Sequence, residues 1–358
     1  VVIPDDARDY VASLSGSRFT TLAAVFSGKV SRANLLRDAS LAVAVLTTGR
    51  GEFSGCLMNE SNTFSQDTVA IIVSFNPDVN TVRKALQSLS SQCATVIVDN
   101  GSGADTLSRL KEVADGFENA ELICLEGNLG IACAQNRAIN HVIQTRDAVR
   151  YSLLLDHDSI PEPGMVSCLE ATFVAQQAQA RVAAVGPVLY DPRDNKYLDF
   201  HKVRFGMWGK IRPDSLRKGQ PAIEVDNLNS SGSLLANTVF RETGGFDASL
   251  FVDHVETDWC FRAKSHGYRL FATVETQLTH HMGDDVCYYW FLKKRRMPYR
   301  SPRRHYYIVR NRLLLQRRDY VPVAWKLSNL LKLCITFGYF GGYSQDKAEQ
   351  RKQMRYGV

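Results

Sequence analysis

The stretch VAIIVSFNP, residues 69–77, decides the fold, because seven apolar or small residues end at an Asn-Pro turn. A short apolar run bounded by turn residues is typical of a buried strand. Three similar runs follow at residues 94–98, 120–125 and 151–155, and the segments between them have apolar residues at helical spacing. This alternation of strand and helix predicts an α/β domain with parallel strands.

The composition is that of a globular protein. Of 358 residues, 45% are apolar and 22% are charged, which excludes wholesale disorder and fibrous repeats. None of the eight cysteines has the Cys-x-x-Cys spacing of a zinc or redox site. No apolar run reaches the roughly 20 residues that span a bilayer, and acids occupy the place of a secretory signal's basic residues. We therefore predict a cytoplasmic protein.

Polar residues follow the ends of the predicted strands. Asp99 ends the second strand, before a Gly-rich segment at residues 100–103, and Asp156 and Asp158 flank His157 directly after the fourth strand. Carboxyl ends of parallel strands meet at one edge of a sheet, where α/β proteins bind ligands. The sequence therefore predicts a ligand site at this edge.

The two aspartates around His157 have two interpretations. Carboxylate oxygens suit Mg²⁺ or Mn²⁺, which take their remaining ligands from substrate phosphates and water. The alternative is an Asp-rich turn that caps the helix after Pro161. This tripeptide alone does not decide between them.

Four segments, 69–77, 96–103, 127–136 and 153–159, resemble the inverting family 2 glycosyltransferases in order and spacing. The resemblance implies a GT-A fold, with a mixed central sheet flanked by helices, here with a C-terminal helical extension. It also implies that Asp99 contacts the base and that Asp156 and Asp158 bind Mg²⁺ or Mn²⁺ with the donor diphosphate. The residues that the resemblance implies for donor binding are Ser74, Phe75, Asn76, Asp99, Asn128, Gly130, Asn136, Asp156, His157, Asp158 and Arg310.

Residues 250–263, LFVDHVETDWCFRA, resemble the acidic catalytic motif of the same family. Its Asp-His-Val form is similar to that of rhamnosyltransferases that build bacterial surface polysaccharide or glycolipid. The resemblance implies that Glu256 is the general base and that Asp258 braces it. Thr257 separates acids that are often adjacent in the family, so Asp258 and Asp253 stay open as the base. A solvated acidic helix start is the structural alternative.

Two later motifs also resemble family elements. The segment HHMGD at residues 280–284 is similar to a His-x-x-Gly element, which implies that His280 lies at the metal and diphosphate. A structural histidine is the alternative. The segment YYIVRN at residues 306–311 is similar to an aromatic-Arg-Asn element, in which Arg310 would neutralise the leaving diphosphate.

These resemblances predict the reaction. We expect inverting transfer of L-rhamnose from dTDP-L-rhamnose to a hydroxyl of a lipid-linked saccharide or glycolipid in bacterial O-antigen or related polysaccharide synthesis. The alternatives are a transferase for another nucleotide sugar and a noncatalytic nucleotide- or saccharide-binding protein. A nucleotidyltransferase is disfavoured, because no Gly-rich loop with trailing Arg and Lys follows the first strand.

Three regions are predicted: an N-terminal extension at 1–66, which is either dispensable or a small helical addition, a catalytic domain at 67–285, and a basic, amphipathic helical region at 286–358. Between Trp290 and Tyr320 there are eleven Lys and Arg residues but only one acid. This segment predicts contact with the anionic inner face of the cell membrane. The expected apolar stripe beside it is Trp325, Leu327, Leu330, Leu331, Leu333 and Ile335. A solvated helix face is the alternative, and nucleic acid is disfavoured because no nucleic-acid-binding motif is present.

Overall fold

The computed structural model describes residues 64–193, 195–216, 222–280, 285–291, 293–344 and 346–358, with only the backbone of 285–298. The chain divides into two units, Val1–Cys56 and Leu57–Val358. The first unit, and with it nearly all of the predicted extension at 1–66, lies outside the described residues. Everything below concerns the second unit.

Strands and helices alternate through the first half of this unit, as the sequence predicts. The strands are β1 (Ser65–Ser74), β2 (Cys93–Asp99), β3 (Ala120–Cys124), β4 (Tyr151–Asp156), β5 (Ser159–Pro161), β6 (Val182–Asp191), β7 (Lys196–Tyr197), β8 (Phe200–Arg204), β9 (Met207–Ile211), β10 (Ala222–Val225), β11 (Leu234–Ala236), β12 (Arg269–His280), β13 (Asp285–Phe291) and β14 (Lys293–Tyr299). The α-helices are α1 (Val79–Leu89), α2 (Ala104–Asp115), α3 (Ile131–Thr145), α4 (Met165–Gln177), α5 (Asn237–Glu242), α6 (Val255–Ser265), α7 (Pro302–Gln316), α8 (Val323–Gly342) and α9 (Lys347–Tyr356).

One mixed sheet forms the centre of the unit, in the order β10-β12-β6-β11-β4-β1-β2-β3. The strands β4, β1, β2 and β3 are parallel neighbours, whereas β11 runs antiparallel to both β4 and β6. The predicted mixed sheet flanked by helices is therefore confirmed. The all-parallel arrangement that alternation alone favours holds for β1 to β4, and the other half of the sheet mixes the parallel pair of β6 and β12 with antiparallel strands.

The core lies between this sheet and its helices. Residues Val69–Val73 of β1 are at most 4% exposed, because β2 and β4 flank the strand and helices cover it. Helix α1 buries Val82, Leu86 and Leu89, the three apolar positions that its helical spacing predicts. Because the strands and the inner faces of the helices are buried in this core, the polar ends of the strands are the edge at which a ligand can bind.

The segment after β12 differs in part from the prediction of a helical region at 286–358. Its backbone first forms an antiparallel hairpin of β13 and β14, and helices begin only at Pro302. The first strand of the hairpin, DVCYYWF, is rich in aromatic residues, which favour strands. Ser301 then caps α7 by accepting a hydrogen bond from Arg304 N, and Pro302 occupies the first turn, where no amide donor is needed.

Helix α8 differs from the predicted apolar stripe in two positions. Trp325 and Leu333 are buried, at 3% and 4% exposure, and pack inside the unit. The apolar side chains that remain exposed are Val323, Leu327, Leu330, Leu331 and Ile335. Among the described helices, none combines the length and apolar character that crossing a membrane requires.

Candidate active site

A cleft of about 520 Å³ lies at the carboxyl ends of β1 and β4. The loop before α6, the end of β12 and the start of α7 complete its walls. Eight of the predicted site residues line it together: Ser74, Phe75, Asn128, Asp156, His157, Asp158, Glu256 and His280. Parallel pairing brings the strand ends into register, with Ser74 opposite Asp99 and Val73 opposite Asp156.

Asp99 is not among the residues that line the cleft. It is 1% exposed, and its carboxylate accepts hydrogen bonds from the backbone amides of Gly101 and Ser102, at 3.2 and 2.9 Å. Ser74 Oγ donates to it as well, at 3.3 Å. Asp99 thus orders the loop that follows β2, and its neighbour Asn100 faces the cleft.

Asn128 and Gly130 connect the loop after β2 to the loop before α6. Asn128 Oδ1 accepts hydrogen bonds from Gly130 N at 3.0 Å and from Asn100 Nδ2 at 3.2 Å. Gly130 has a φ of 84°, and a Cβ there would lie 2.6 Å from the carbonyl oxygen of Phe251. Only glycine fits, because the backbone before α3 packs directly against the loop before α6.

Asp156, Asp158 and His280 form a candidate metal centre. One possible ligand atom from each lies within 4.8 Å of the others. His280 Nδ1 is 3.4 Å from Asp158 Oδ1 and 2.8 Å from Ser159 Oγ. Two carboxylates and an imidazole are a donor set that suits a divalent cation such as Mn²⁺. The residues present therefore fit a metal.

The electrostatics of this group also fit a cation. Burial and the charge of Asp158 raise the pKa of Asp156. Burial acts in the same direction on Asp158, but hydrogen bonding and the charge of His280 outweigh it and lower the pKa of that carboxyl. Burial opposes protonation of His280, yet the two carboxylates raise its pKa. The acids thus already attract positive charge to this place.

Serines behind the metal centre hold it in position. Asp156 N donates to Ser231 Oγ at 3.0 Å, and Ser231 Oγ lies 2.7 Å from Ser159 Oγ. Ser159 in turn bonds His280. The Ser-Ser-Gly-Ser turn at residues 230–233 therefore braces the acids through Ser231.

Glu256, in the first turn of α6, faces the same cleft. Burial raises the pKa of its carboxyl to about 7, and the charges of Asp253 and Asp156 act in the same direction. A carboxylate with this pKa can accept a proton near neutral pH more effectively than an ordinary glutamate. Its position and its pKa both suit a general base.

The loop before Glu256 has a strained backbone. Phe251, Asp253 and His254 have φ values of 63°, 63° and 64°, although none of them is glycine. Such conformations cost energy and persist only where the surroundings enforce them. Asn311 of α7 is fully buried and supplies this constraint. Its Nδ2 donates, at 2.8, 2.7 and 2.9 Å, to the carbonyl oxygens of Leu250, Val252 and Asp253.

The positive charges at the cleft come from Arg300 and Arg304 rather than from Arg310. Arg304 lines the cleft and pairs with both carboxylate oxygens of Asp253, at 3.0 and 3.1 Å. Arg310 lies outside the lining, donates to the carbonyl oxygen of Ser249 and stacks on the ring of Tyr307. No spacing pattern distinguishes these arginines in the basic segment, so sequence reasoning did not single out Arg300 or Arg304 for this wall.

Three other predicted residues also lie outside the lining. Asp258 is fully buried, where Arg262, Arg318 and Tyr320 bond its carboxylate. The side chain of Asn136 bonds both backbone groups of Phe246, at 2.8 and 2.9 Å. Asn76 accepts a hydrogen bond from Gly103 N at 2.9 Å. All three therefore position the surrounding loops.

Gln135 is a lining residue that the sequence did not indicate. It is 1% exposed, and its Nε2 donates to Ser230 Oγ at 2.6 Å. Within the described part of the chain, its Oε1 is enclosed without a hydrogen-bond partner. Because Gln135 lies one turn inside α3 among apolar residues, only tertiary contact reveals it.

Known proteins with similar sequence place this site in a class. Residues 69–243 match the model of the family described as Glycosyl transferase family 2. The chain is 29% identical over 264 residues to the dTDP-rhamnosyl transferase RfbF of Shigella flexneri. The aligned region covers 73% of this chain and 84% of that protein.

Solved structures show the same fold. Two of them are GalNAc-T7 with UDP, GalNAc and Mn²⁺ (TM-score 0.53, 14% identity, 83% of this chain) and S. aureus TarS 1-349 in complex with UDP-GlcNAc (TM-score 0.51, 15% identity, 82% of this chain). This chain covers 56% of the GalNAc-T7 chain and 79% of that TarS chain. It spans about half the length, 48%, of another solved TarS chain.

Fold, cleft and sequence match together define an enzyme, a glycosyltransferase with the GT-A fold. Residues 69–243 of this chain resemble the glycosyltransferase family 2 domain. The expectations of the GT-A fold and of glycosyltransferase activity are thereby confirmed.

Proposed function

We propose that the protein transfers L-rhamnose from dTDP-L-rhamnose, with inversion, to a hydroxyl of a lipid-linked saccharide or glycolipid at the inner face of the cell membrane. The observation that supports this most is one cleft in which Glu256 and the group of Asp156, Asp158 and His280 line common walls. The choice of donor rests on the relative that is described as a dTDP-rhamnosyl transferase.

The donor would occupy the cleft along the carboxyl ends of the parallel strands. Ser74, Phe75, Asn100 and Asn128 line the side suited to the nucleotide. Asp156, Asp158 and His280 would hold Mg²⁺ or Mn²⁺, which when bound neutralises diphosphate charge. Arg304 adds a fixed positive charge from α7 that favours the leaving dTDP.

Glu256 would accept the proton of the acceptor hydroxyl as that oxygen attacks the anomeric carbon. The new glycosidic bond forms while the bond from the anomeric carbon to the diphosphate breaks, and dTDP leaves with the electron pair. A single displacement inverts the anomeric configuration and needs no covalent enzyme intermediate. The strained loop held by Asn311 fixes Glu256 before substrate arrives, so little reorganisation is needed.

Calorimetry with a panel of nucleotide sugars tests this proposal. With Mn²⁺ we expect dTDP-L-rhamnose to bind more tightly than UDP-glucose or GDP-mannose, and EDTA to weaken that binding. Asp158→Asn should weaken metal-dependent binding by about tenfold or more, since a charged ligand is lost. Asp105→Asn, an exposed acid on α2, is the matched control. Donor binding that is unaffected by Asp158→Asn would contradict the proposal.

A further inference from the structure

A second cavity, of about 390 Å³, borders the same catalytic acid. Asp253, Glu256 and Arg300 line both this cavity and the donor cleft. Its remaining walls come from the start of α6, from α7 and from α8. Glu256 is therefore accessible to two separate spaces, as a base between a donor and an acceptor must be.

The second cavity has an excess of positive charge. Arg300, Arg312 and Lys332 line it, against the two acids Asp253 and Glu256. Asp253 already pairs with Arg304, a residue of the donor cleft. Burial lowers the pKa of Arg312 to about 10, so its guanidinium stays charged at neutral pH.

Among the residues that the structure describes, Arg312 and Lys332 have no neutralising carboxylate. Neither forms an ion pair with a carboxylate in the ranges that the structure describes. Arg312 Nε donates to His254 Nε2 at 3.2 Å, while its Nη1 is enclosed without a hydrogen-bond partner among the described residues. Two like charges at one cavity repel each other, and an anion bound between them would remove that cost.

We propose that this cavity binds a phosphate or diphosphate group of the acceptor, an inference that rests on the proposed function. The donor diphosphate has its own place at Asp156 and Asp158, so these cations are left for a different anion. Ile335 lines the cavity and is exposed, and Leu331 is exposed one turn away on α8. An acceptor bound by its phosphate would thus have an apolar surface beside it for a lipid chain, while its sugar hydroxyl reaches Glu256.

Metal-free calorimetry separates this cavity from the donor site. In EDTA, the full-length protein is titrated with inorganic pyrophosphate and with farnesyl diphosphate. We expect both to bind, and Lys332→Gln to weaken both by about tenfold, the scale of a hydrogen bond to a charged group. Lys326→Gln changes the same charge on the same helix but outside the cavity lining, and should bind like the wild type. Arg312→Gln should give the same loss as Lys332→Gln.

Each contrary result shows which proposal is wrong, the assignment of the second cavity or the proposed function. Equal pyrophosphate affinity in Lys332→Gln and wild type overturns the assignment of the cavity. Binding to phosphatidylglycerol vesicles without binding of either diphosphate also overturns it, because the cations would then serve the membrane surface. Binding of dTDP in Mn²⁺ is measured separately, and its absence in the wild type would contradict the proposed function instead. Arg312→Gln also removes the bond to His254, so the exposed Lys332 is the deciding variant if Arg312→Gln does not fold.

Discussion

Glu256 shows how one side chain acquires its chemistry from its surroundings. Its carboxyl would titrate with an ordinary glutamate pKa in water, but burial and two neighbouring acids raise the pKa to about 7. Asp258, two residues later on the same helix, is fully buried and pairs with Arg262 and Arg318. The two acids of this motif therefore differ in their contacts: Glu256 faces the cleft, whereas Asp258 fixes the helix.

Replacing Glu256 by Gln tests its role as the base. The amide keeps the shape of the side chain but cannot accept the acceptor proton, so turnover should fall by roughly 10²-fold or more while the donor affinity is retained. Steady-state transfer and calorimetry with dTDP measure the two quantities. Glu112→Gln, an exposed position on α2, is the control. Normal turnover in Glu256→Gln would remove Glu256 from the mechanism.

The raised pKa of Glu256 also predicts a pH profile. The base form is lost as the pH falls through about 7, so kcat/KM should rise with pH and level off above that value. Below the pKa the slope should approach tenfold per pH unit. The profile is measured at saturating metal. A flat profile between about pH 6 and 8 would show that the proton acceptor has an ordinary pKa.

Asp258 instead predicts a loss of stability. Asp258→Asn removes the charge that pairs with Arg262 and Arg318, and leaves Arg262 without this carboxylate and Arg318 paired with Asp247 alone. Breaking a buried pair in this way costs about 3 kcal/mol or more. Urea denaturation should show this loss, while the turnover of the folded fraction stays near the wild-type value. Unchanged stability with lost turnover would identify Asp258 as the base.

At the scale of secondary-structure elements, helix α7 supports the loop before α6, which leads into Glu256. Arg304 pairs with Asp253, Arg310 donates to Ser249 O, and Asn311 bonds three loop carbonyls. The loop between the 3₁₀ turn Ala248–Leu250 and α6 has an unfavourable backbone conformation, and these contacts stabilise it. The aromatic-Arg-Asn motif thus acts on the position of Glu256.

Replacing Asn311 by Ala tests this support. Three carbonyls lose their donor, so we expect a loss of about 1 to 3 kcal/mol in the free energy of unfolding and a lower kcat, with donor affinity less affected. Asn329→Ala is the matched control, because that buried amide bonds only Trp325 O within α8 among the described residues. It should lower stability without lowering the kcat of the folded enzyme. Equal kcat for both variants would contradict a positioning role for Asn311.

Across the molecule, exposed apolar groups cluster where α8 and the β8–β9 hairpin are neighbours. Phe205 and Met207, at the hairpin turn, are 99% and 68% exposed, and β9 contacts α8. Leu327 and Leu331 are 65% and 64% exposed on that helix. Lys202, Arg204 and Lys210 also lie on the hairpin strands, where Lys202 pairs with Glu224 and Lys210 with Asp199. Such a surface suits the interface of an anionic membrane.

Cosedimentation with phosphatidylglycerol vesicles tests membrane contact. Leu327→Glu combined with Phe205→Ser should reduce vesicle binding severalfold, because each replacement removes an apolar group that would be buried in lipid. The fold should be retained, since both positions are exposed. Val174→Ser, an exposed apolar position on α4, is the control. Equal binding by the double variant and the wild type would contradict membrane contact through this surface.

Local sequence was sufficient for the sheet strands and for the acids at their ends. The runs 69–75, 94–98 and 151–155 match β1, β2 and β4 closely, because an apolar run bounded by turn residues is a local signal. The same reasoning located Asp156 and Asp158, since a parallel sheet brings strand ends to one edge. It could not decide which polar residues line the cleft, and Asp99 and Arg310 lie outside that lining.

The amino-acid order fixed the parallel half of the sheet, the aspartates at its edge and the acidic start of α6, because apolar periodicity and strand ends depend on neighbouring residues. Folding in three dimensions decided the environments of Glu256 and Asp258, the bracing by Asn311 and the cationic second cavity. Burial, hydrogen-bond partners and pKa depend on residues that are distant in the chain, here up to about 60 positions between Asn311 and the loop it holds.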